Sequence, residues 1–330
     1  MPDLYDVAAI GNAIVDVIAP ADDAFLVANR LDKGAMMLVD QARSAELYGK
    51  MKAGVETSGG SAGNTIAGVA SLGGKAAYLG KVADDALGAT FTREMRAIGA
   101  HFSPTPLVGG PATAVSMINV TPDAQRTMCT FLGASVEFTD ADVTPAVIEG
   151  ARIVYLEGYL FDAEPARKAF AKAAALARGS GRMLAITLSD GFVVERHRGG
   201  LLEFIESQVD LVFANEVEIK SLFQTDSFDE AMAEIIPRAK LAAVTRSEKG
   251  SVVISHAETA HVPAYPVEKI VDTTGAGDQY AAGFMFGLAR GRSLTDCARL
   301  GALAAAEVIS HYGPRPQVSL QDLAKGKGLI

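Results

Sequence analysis

Short apolar runs recur along the whole chain, separated by helix-length stretches, and this rhythm limits the fold more than any other feature. The runs are YDVAAIG (5–11), AAYLG (76–80), RIVYLEG (152–158), MLAITL (183–188), DLVFAN (210–215) and LAAVT (241–245). Helical periodicity lies between them, at 41–52, 63–72, 86–98 and 279–290. Strands this apolar need cover on both faces. The pattern therefore predicts an α/β fold: a doubly wound, mostly parallel sheet with helices on both faces and ligands bound beyond the carboxyl ends of the strands. Residues 14–39 and 112–131 break the rhythm and read as hairpin strands without intervening helices, the second turning at Pro122-Asp123. Two arrangements suit them: a small β lid over the cleft, or an extension of the main sheet's edge. No internal repeat, low-complexity tract or long linker divides the chain, so residues 1–330 are expected to form one unit.

Composition narrows the function. A net charge of −9 over 330 residues argues against a nucleic-acid-binding face, which needs clustered Lys and Arg. Cys129 and Cys297 are isolated, without a C-x-x-C pair, as in a reducing compartment. No apolar run approaches the roughly 20 residues of a membrane span, and the opening MPDLYDVAAIG starts a strand rather than a leader. A cytoplasmic protein with no membrane partner is expected.

The stretch DTTGAGDQY (272–280) carries the sharpest chemical signal. Glu268–Val271 reads as the end of a strand or an extended segment, so the expected order is strand, glycine turn, helix, with Asp278 in the first helical turn. A Gly-x-Gly turn at a helix start can aim the amides of Gly275, Ala276 and Gly277 at an anion. An aspartate beside it suits a base that takes a proton from an attacking hydroxyl. A glycine turn followed by an acidic residue is also common in α/β proteins, and both readings hold locally. The turn SGGSAGN (58–64) offers Gly60, Ser61 and Asn64 to sugar hydroxyls, or is an ordinary helix entry. GNAIVD (11–16) puts Asn12 and Asp16 past the first strand, where Asp16 is either a diol acceptor or a solvated acid. In NEVE (215–218), Asn215 and Glu218 form a helix cap, or organise a hydrated Mg²⁺ beside a triphosphate. The P-loop, the dinucleotide fingerprint, the protein-kinase set and zinc spacing among the five histidines are all missing.

In this order, GNxxxD, GGSxxN, NxxE and DTTGAGD resemble the ribokinase-like (PfkB) family of carbohydrate and nucleoside kinases, from Val7 to about His311. Within it the chain is most similar to adenosine kinases: it has GGSAGN where ribokinases carry a GGKGAN type of turn, and YLEGYLF (155–161), LAITLSDGFV (184–193) and QRTMCTFLGAS (125–135) are similar to adenosine-kinase segments. The resemblance implies an ATP-dependent kinase acting on the 5′-hydroxyl of adenosine. Asp278 would be its base, and the 275–277 backbone its anion hole. Asp16 would hold the ribose diol with Asn12, Gly60, Ser61 and Asn64, and Arg126 would reach the phosphates from the lid. It further implies Asn215, Thr245 and Gly250 at the nucleotide, with Mg²⁺ met by Glu218 through water; a monovalent cation near 272–274 is used by some relatives. An apolar pocket of Ile14, Met36, Leu38 and Phe131 would take the base. A free sugar (ribose, fructose, 2-keto-3-deoxygluconate) or another nucleoside is the alternative acceptor, and a catalytically idle binding protein is the alternative class. A monomer or a homodimer fits equally. Gln279-Tyr280 departs from the small residue and Phe usual in the family, and Met36 stands where relatives can carry a polar residue.

Overall fold

The computed structural model describes residues 4–123 and 125–330. Its first strand, β1 (Tyr5–Ile10), is followed after only Gly11–Ala13 by β2 (Ile14–Pro20). The chain then adds β3 (Met36–Leu38), β4 (Val55–Ser58), β5 (Ala76–Leu79), β6 (Ala114–Val120) and β7 (Arg126–Phe131). From there β8 (Ala151–Glu157), β9 (Met183–Thr187), β10 (Leu211–Asn215), β11 (Leu241–Thr245), β12 (Ser251–Ser255) and β13 (Thr259–Val262) complete the strands.

Among the described residues these form two sheets. The larger has eight strands in the order β13-β12-β11-β10-β9-β8-β1-β5. It is parallel from β11 to β5, with β12 and β13 antiparallel at one edge. Alternate residues enter two cores. Ala8, Ile10, Val154, Leu156, Ile186, Val212 and Val244 face the helices Glu164–Gly179, Gly191–Gln208 and Glu216–Phe223. Val7, Ala9, Ile153, Tyr155, Ala185, Phe213 and Ala243 face the helices Ser61–Ser71, Ala276–Ala289 and Leu294–Ile309. Both faces being buried, the strands read as continuous apolar runs, as the doubly wound expectation requires.

The smaller sheet has the order β3-β7-β6-β2-β4. Of the two arrangements open for the inserted segments, the separate lid-like sheet is the one found. The 112–131 hairpin forms as expected, β6 antiparallel to β7. The 14–39 hairpin does not. A helix, Asp23–Ala28, separates β2 from β3; β2 pairs in parallel with β6 and antiparallel with β4, and β3 pairs with β7. Register puts Asp16, Thr57, Ser116 and Thr130 side by side on one face, which also carries Ile14, Met36, Leu38 and Arg126. The other face, with Val15, Val17, Met117 and Cys129, packs on Leu26, Leu31 and Leu47.

One smaller expectation is corrected, and one element lay outside the expectations. Residues 268–271 are irregular, not the end of a strand, so the 276–289 helix is entered from a loop whose Val271 amide donates to the Ile309 carbonyl. The edge hairpin β12–β13 was not foreseen, since it needs an antiparallel partner that local periodicity does not reveal. Among the described residues, no helix is long and apolar enough to cross a membrane.

Candidate active site

The site lies where the carboxyl ends of β1 and β8 meet the small sheet and two helix N-termini. Gly60 enters the 61–71 helix at φ +79°, and a Cβ there would lie 2.3 Å from the Asn12 carbonyl oxygen. Its neighbour Gly59 is equally constrained, because a Cβ would sit 2.4 Å from Asp16 Oδ2. The Gly-Gly pair thus seats the Asp16 carboxylate and points the first helical turn at the 276–289 helix. From that turn Ser61 Oγ donates to Asp278 Oδ1 at 2.6 Å and Asn64 Nδ2 donates to Asp278 Oδ2 at 3.2 Å. Asp278 is in the first turn of its own helix, as expected. Burial raises its pKa to about 6, against the lowering effect of the Ser61 and Asn64 hydrogen bonds and of the Arg315 charge. Asp16 behaves alike: burial pushes it up to about 6, while Arg315 and then Arg126 pull it down and Asp278 pushes it up.

Gly275 takes φ +80° at the helix cap, and a Cβ would lie 2.6 Å from the Pro314 carbonyl oxygen. A Cβ on Gly277 would meet nothing within 4 Å, so that residue borders open space. The Ala276 amide donates to the Thr273 carbonyl at 3.2 Å and is therefore already engaged. Arg126 reaches across from β7 to ion-pair with Asp272, and its Nη1 also lies 3.3 Å from Thr274 Oγ1. Asp272 accepts from Thr274 N and Oγ1 and from Gly313 N as well. Burial works against its charge, yet these partners keep its pKa below the ordinary value.

Deeper in, Asn12 Nδ2 donates to Glu157 Oε1 at 2.8 Å, and the Ala62 amide donates to Glu157 Oε2 at 2.9 Å. Burial raises Glu157 to about 7. Asn12 Oδ1 is buried with no partner among the described residues, so it has an acceptor to offer a ligand hydroxyl.

Asn215 and Glu218 stand apart, at the carboxyl end of β10. They form a capping box in which Asn215 Nδ2 donates to Glu218 Oε1 at 2.6 Å and Asn215 N donates to Oε2 at 3.0 Å. Burial lifts Glu218 to about 7. Thr245 is the register partner of Asn215 on β11. Gly250 turns just beyond it, where a Cβ would strike the Val262 carbonyl oxygen at 2.1 Å. Of the apolar quartet, Ile14, Met36 and Leu38 share the face of Asp16. Phe131 is a correction: its register partner is Val115, on the opposite face, and it packs into the core. Strand alternation at 130–131 decides this, and the motif could not.

Sequence reasoning passed over Glu157, Asp272 and Arg315. A charged residue closing the apolar run of β8 was a signal for Glu157, and the lone arginine of GPRP (313–316) was one for Arg315. A separate cavity of about 680 Å³, lined in part by Met183, Asp210 and Leu241, opens at the amino ends of β9 to β11, the opposite end of the sheet from the site.

An open α/β sheet with a small covering sheet and an aspartate at a glycine-entered helix defines a phosphotransferase of the sugar and nucleoside kinase class. The model of the pfkB family carbohydrate kinases matches residues 6–320, and the chain belongs to that family. The crystal structure of adenosine kinase from Sinorhizobium meliloti is 54% identical, covers 98% of this chain and 99% of that one, and superposes with a TM-score of 0.90. A probable sugar kinase from Rhizobium etli is 50% identical over 99% of this chain and 100% of its own, at a TM-score of 0.92. A fructokinase from rice is 29% identical over 239 residues, 70% of this chain and 73% of its own. The family implies ATP as co-substrate.

Proposed function

We propose that this chain transfers the γ-phosphoryl group of ATP to the 5′-hydroxyl of adenosine, giving AMP and ADP. The observation that carries the reading is Asp278, held by Ser61 and Asn64 at the start of its helix, with its pKa raised to about 6 by burial and its charge close enough to Asp16 to raise that group's pKa. Asp278 is ionised at neutral pH and can take the proton as the hydroxyl oxygen attacks phosphorus. The amides of the cap residue 275 and of 277 in the first turn would face the transferring group; that of 276 would have to leave Thr273 to join them. Asp16 would accept from the ribose diol, and Asn12 Oδ1 from a further hydroxyl. Ile14, Met36 and Leu38, two of them exposed on the face of Asp16, supply apolar area for a base. Arg126 has a buried Nε without a partner and would turn its spare donors to phosphate.

Thr245 and Gly250 would line the nucleotide phosphates. Among the described residues no group of three or more His, Cys, Asp or Glu could hold a metal directly. A single carboxylate already fastened in a capping box suits a hydrated ion carried by phosphates, so Asn215 and Glu218 would meet Mg²⁺ through its waters. Bound there, the ion would offset triphosphate charge.

The rice fructokinase and the Rhizobium etli probable sugar kinase favour a second reading, a free sugar as acceptor. An ADP-coupled assay with MgATP and adenosine, inosine, ribose, fructose or 2-keto-3-deoxygluconate decides between them. A strong preference for adenosine is expected. Turnover confined to one free sugar would keep Asp278 and remove the base pocket, and turnover with none would overturn the kinase reading.

A further inference from the structure

Arg315 lies in the loop Gly313–Pro316, which is fastened to the DTTGAGD stretch at several points. Gly313 N donates to Asp272 Oδ2 at 3.0 Å, the Pro314 carbonyl accepts from Gln279 Nε2 at 3.0 Å, and Pro314 fills the space that a Gly275 side chain would need. Thus placed, the guanidinium reaches into the site. Its Nε donates to Asn64 Oδ1 at 3.2 Å, its Nη1 to Ser58 Oγ at 2.7 Å, and its Nη2 lies 3.8 Å from Met95 Sδ.

The amide of Asn64 has two ends of nearly equal shape, one a donor and one an acceptor, and a guanidinium has donors only. With Arg315 on Oδ1, Nδ2 must point the other way, toward Asp278 Oδ2. Turned over, the amide would set its oxygen against the carboxylate. The charge of Arg315 acts as well. The acids around it are Asp16 on β2, Asp278 on its helix, and Glu94, whose Oε2 accepts from Ser58 N. No carboxylate among the described residues forms a direct ion pair with it, so its charge serves the group rather than one partner.

We propose that Arg315 is a positioning residue for phosphoryl transfer: it orients Asn64 against Asp278 and supplies the positive charge that lets Asp16 and Asp278 be ionised together. The inference rests on Asp278 acting as the base. The other groups that bear on Asp278 and Asp16 are Ser61 and Asn64 from the 61–71 helix, Arg126 from β7, Glu157 and Tyr155 from β8, and Tyr159 just beyond it. Of these only Asn64 bonds to Arg315, so the others keep their contacts when Arg315 is replaced.

The test is a carboxyl-carbon NMR titration of the full chain labelled at aspartate, with the Asp278 signal identified by its loss in D278N. Losing a nearby opposite charge should raise the Asp278 pKa in Arg315→Met by about one unit or more. The acid limb of kcat/KM for adenosine should rise with it, so a one-unit shift makes the variant's deficit about fivefold larger at pH 6 than at pH 8. Arg315→Lys keeps the charge but cannot span Ser58 and Asn64, so its titration should stay near wild type while kcat falls about tenfold. A folded R315M with an unmoved Asp278 titration overturns the proposal. Should R315M not fold, R315K decides, and wild-type kcat in it overturns the orienting role. An inactive wild type would remove the kinase reading and leave the titration to judge Arg315 separately.

Discussion

At the scale of single residues, burial makes Asp278, Asp16 and Glu157 hold their protons more tightly in the folded chain than ordinary acids do. Replacing Asp278 by Asn should leave ligand binding intact and cut kcat by roughly 10² to 10⁴, the usual contribution of a general base. Near-wild-type turnover would show that another group takes the proton. The wild-type rate should fall as pH drops through about 6, where Asp278 becomes protonated. The same shift has a consequence for stability. Because the folded pKa is raised from 3.8 to about 6, the proton favours the folded state; that contribution is complete below the unfolded pKa and is lost as pH rises through about 6. D278N removes the group, so its melting temperature relative to wild type should be higher at pH 8 than at pH 4.5. The corresponding difference in unfolding free energy is on the order of 1 to 3 kcal/mol. Equal offsets at both pH values would mean that burial does not strain Asp278. Asp278, Asn64 and Asp16 were legible as a set because their types recur in a recognisable order, and the structure brings them together. Arg315 was not, because its partners Ser58 and Asn64 are about 250 positions away and no local pattern announces a guanidinium folded back onto them.

At the scale of elements, the parallel strands of the large sheet were legible to within a few residues, since burial on both faces leaves uninterrupted apolar runs, whereas its antiparallel edge hairpin was not. The small sheet was legible only as a hairpin. Its β4 is VETS, too short and too polar to show a period, and its pairing with β2 is set by residues nearly 40 positions earlier. The packing of the helices Ser61–Ser71 and Ala276–Ala289 was also hidden, although the odd residue Gln279 pointed to it. Gln279 is wholly buried between them, donating to the Asn64 and Pro314 carbonyls, and Gly68 leaves it room: a Cβ there would lie 2.1 Å from Gln279 Oε1 and 2.7 Å from Ala282 Cβ. Gly68→Ala should therefore destabilise by about 1 to 3 kcal/mol despite alanine's better helix propensity. In a Gln279→Ala background the same change should cost less, with a coupling of at least about 0.5 kcal/mol in denaturant unfolding. Strict additivity would show that Ala282, not Gln279, sets the limit.

For the whole molecule, the question is what holds the small sheet to the large one before substrates arrive. The chain crosses between the two at Gly11–Ala13 within three residues, so that link is short but acts at one point only. A second tie, Arg126 to Asp272, joins β7 to the loop before the 276–289 helix and has both side chains largely enclosed, 12% and 7% exposed. Enclosure shields the pair from salt more than an open surface pair. The group that would turn to phosphate during transfer is thus the group that pins the sheet in the free protein, and binding must exchange one anion for another. If so, Arg126→Gln should loosen the small sheet locally, with amide exchange of β6 and β7 about tenfold faster, equivalent to about 1.4 kcal/mol. The amides of β8 to β10 should exchange as in wild type. Equal acceleration in both sheets would mean a general loss of stability, and unchanged exchange in β6 and β7 would mean that the remaining ties, the short crossing and the Arg315 and Glu94 bonds to Ser58 of β4, hold the sheet in place without Arg126.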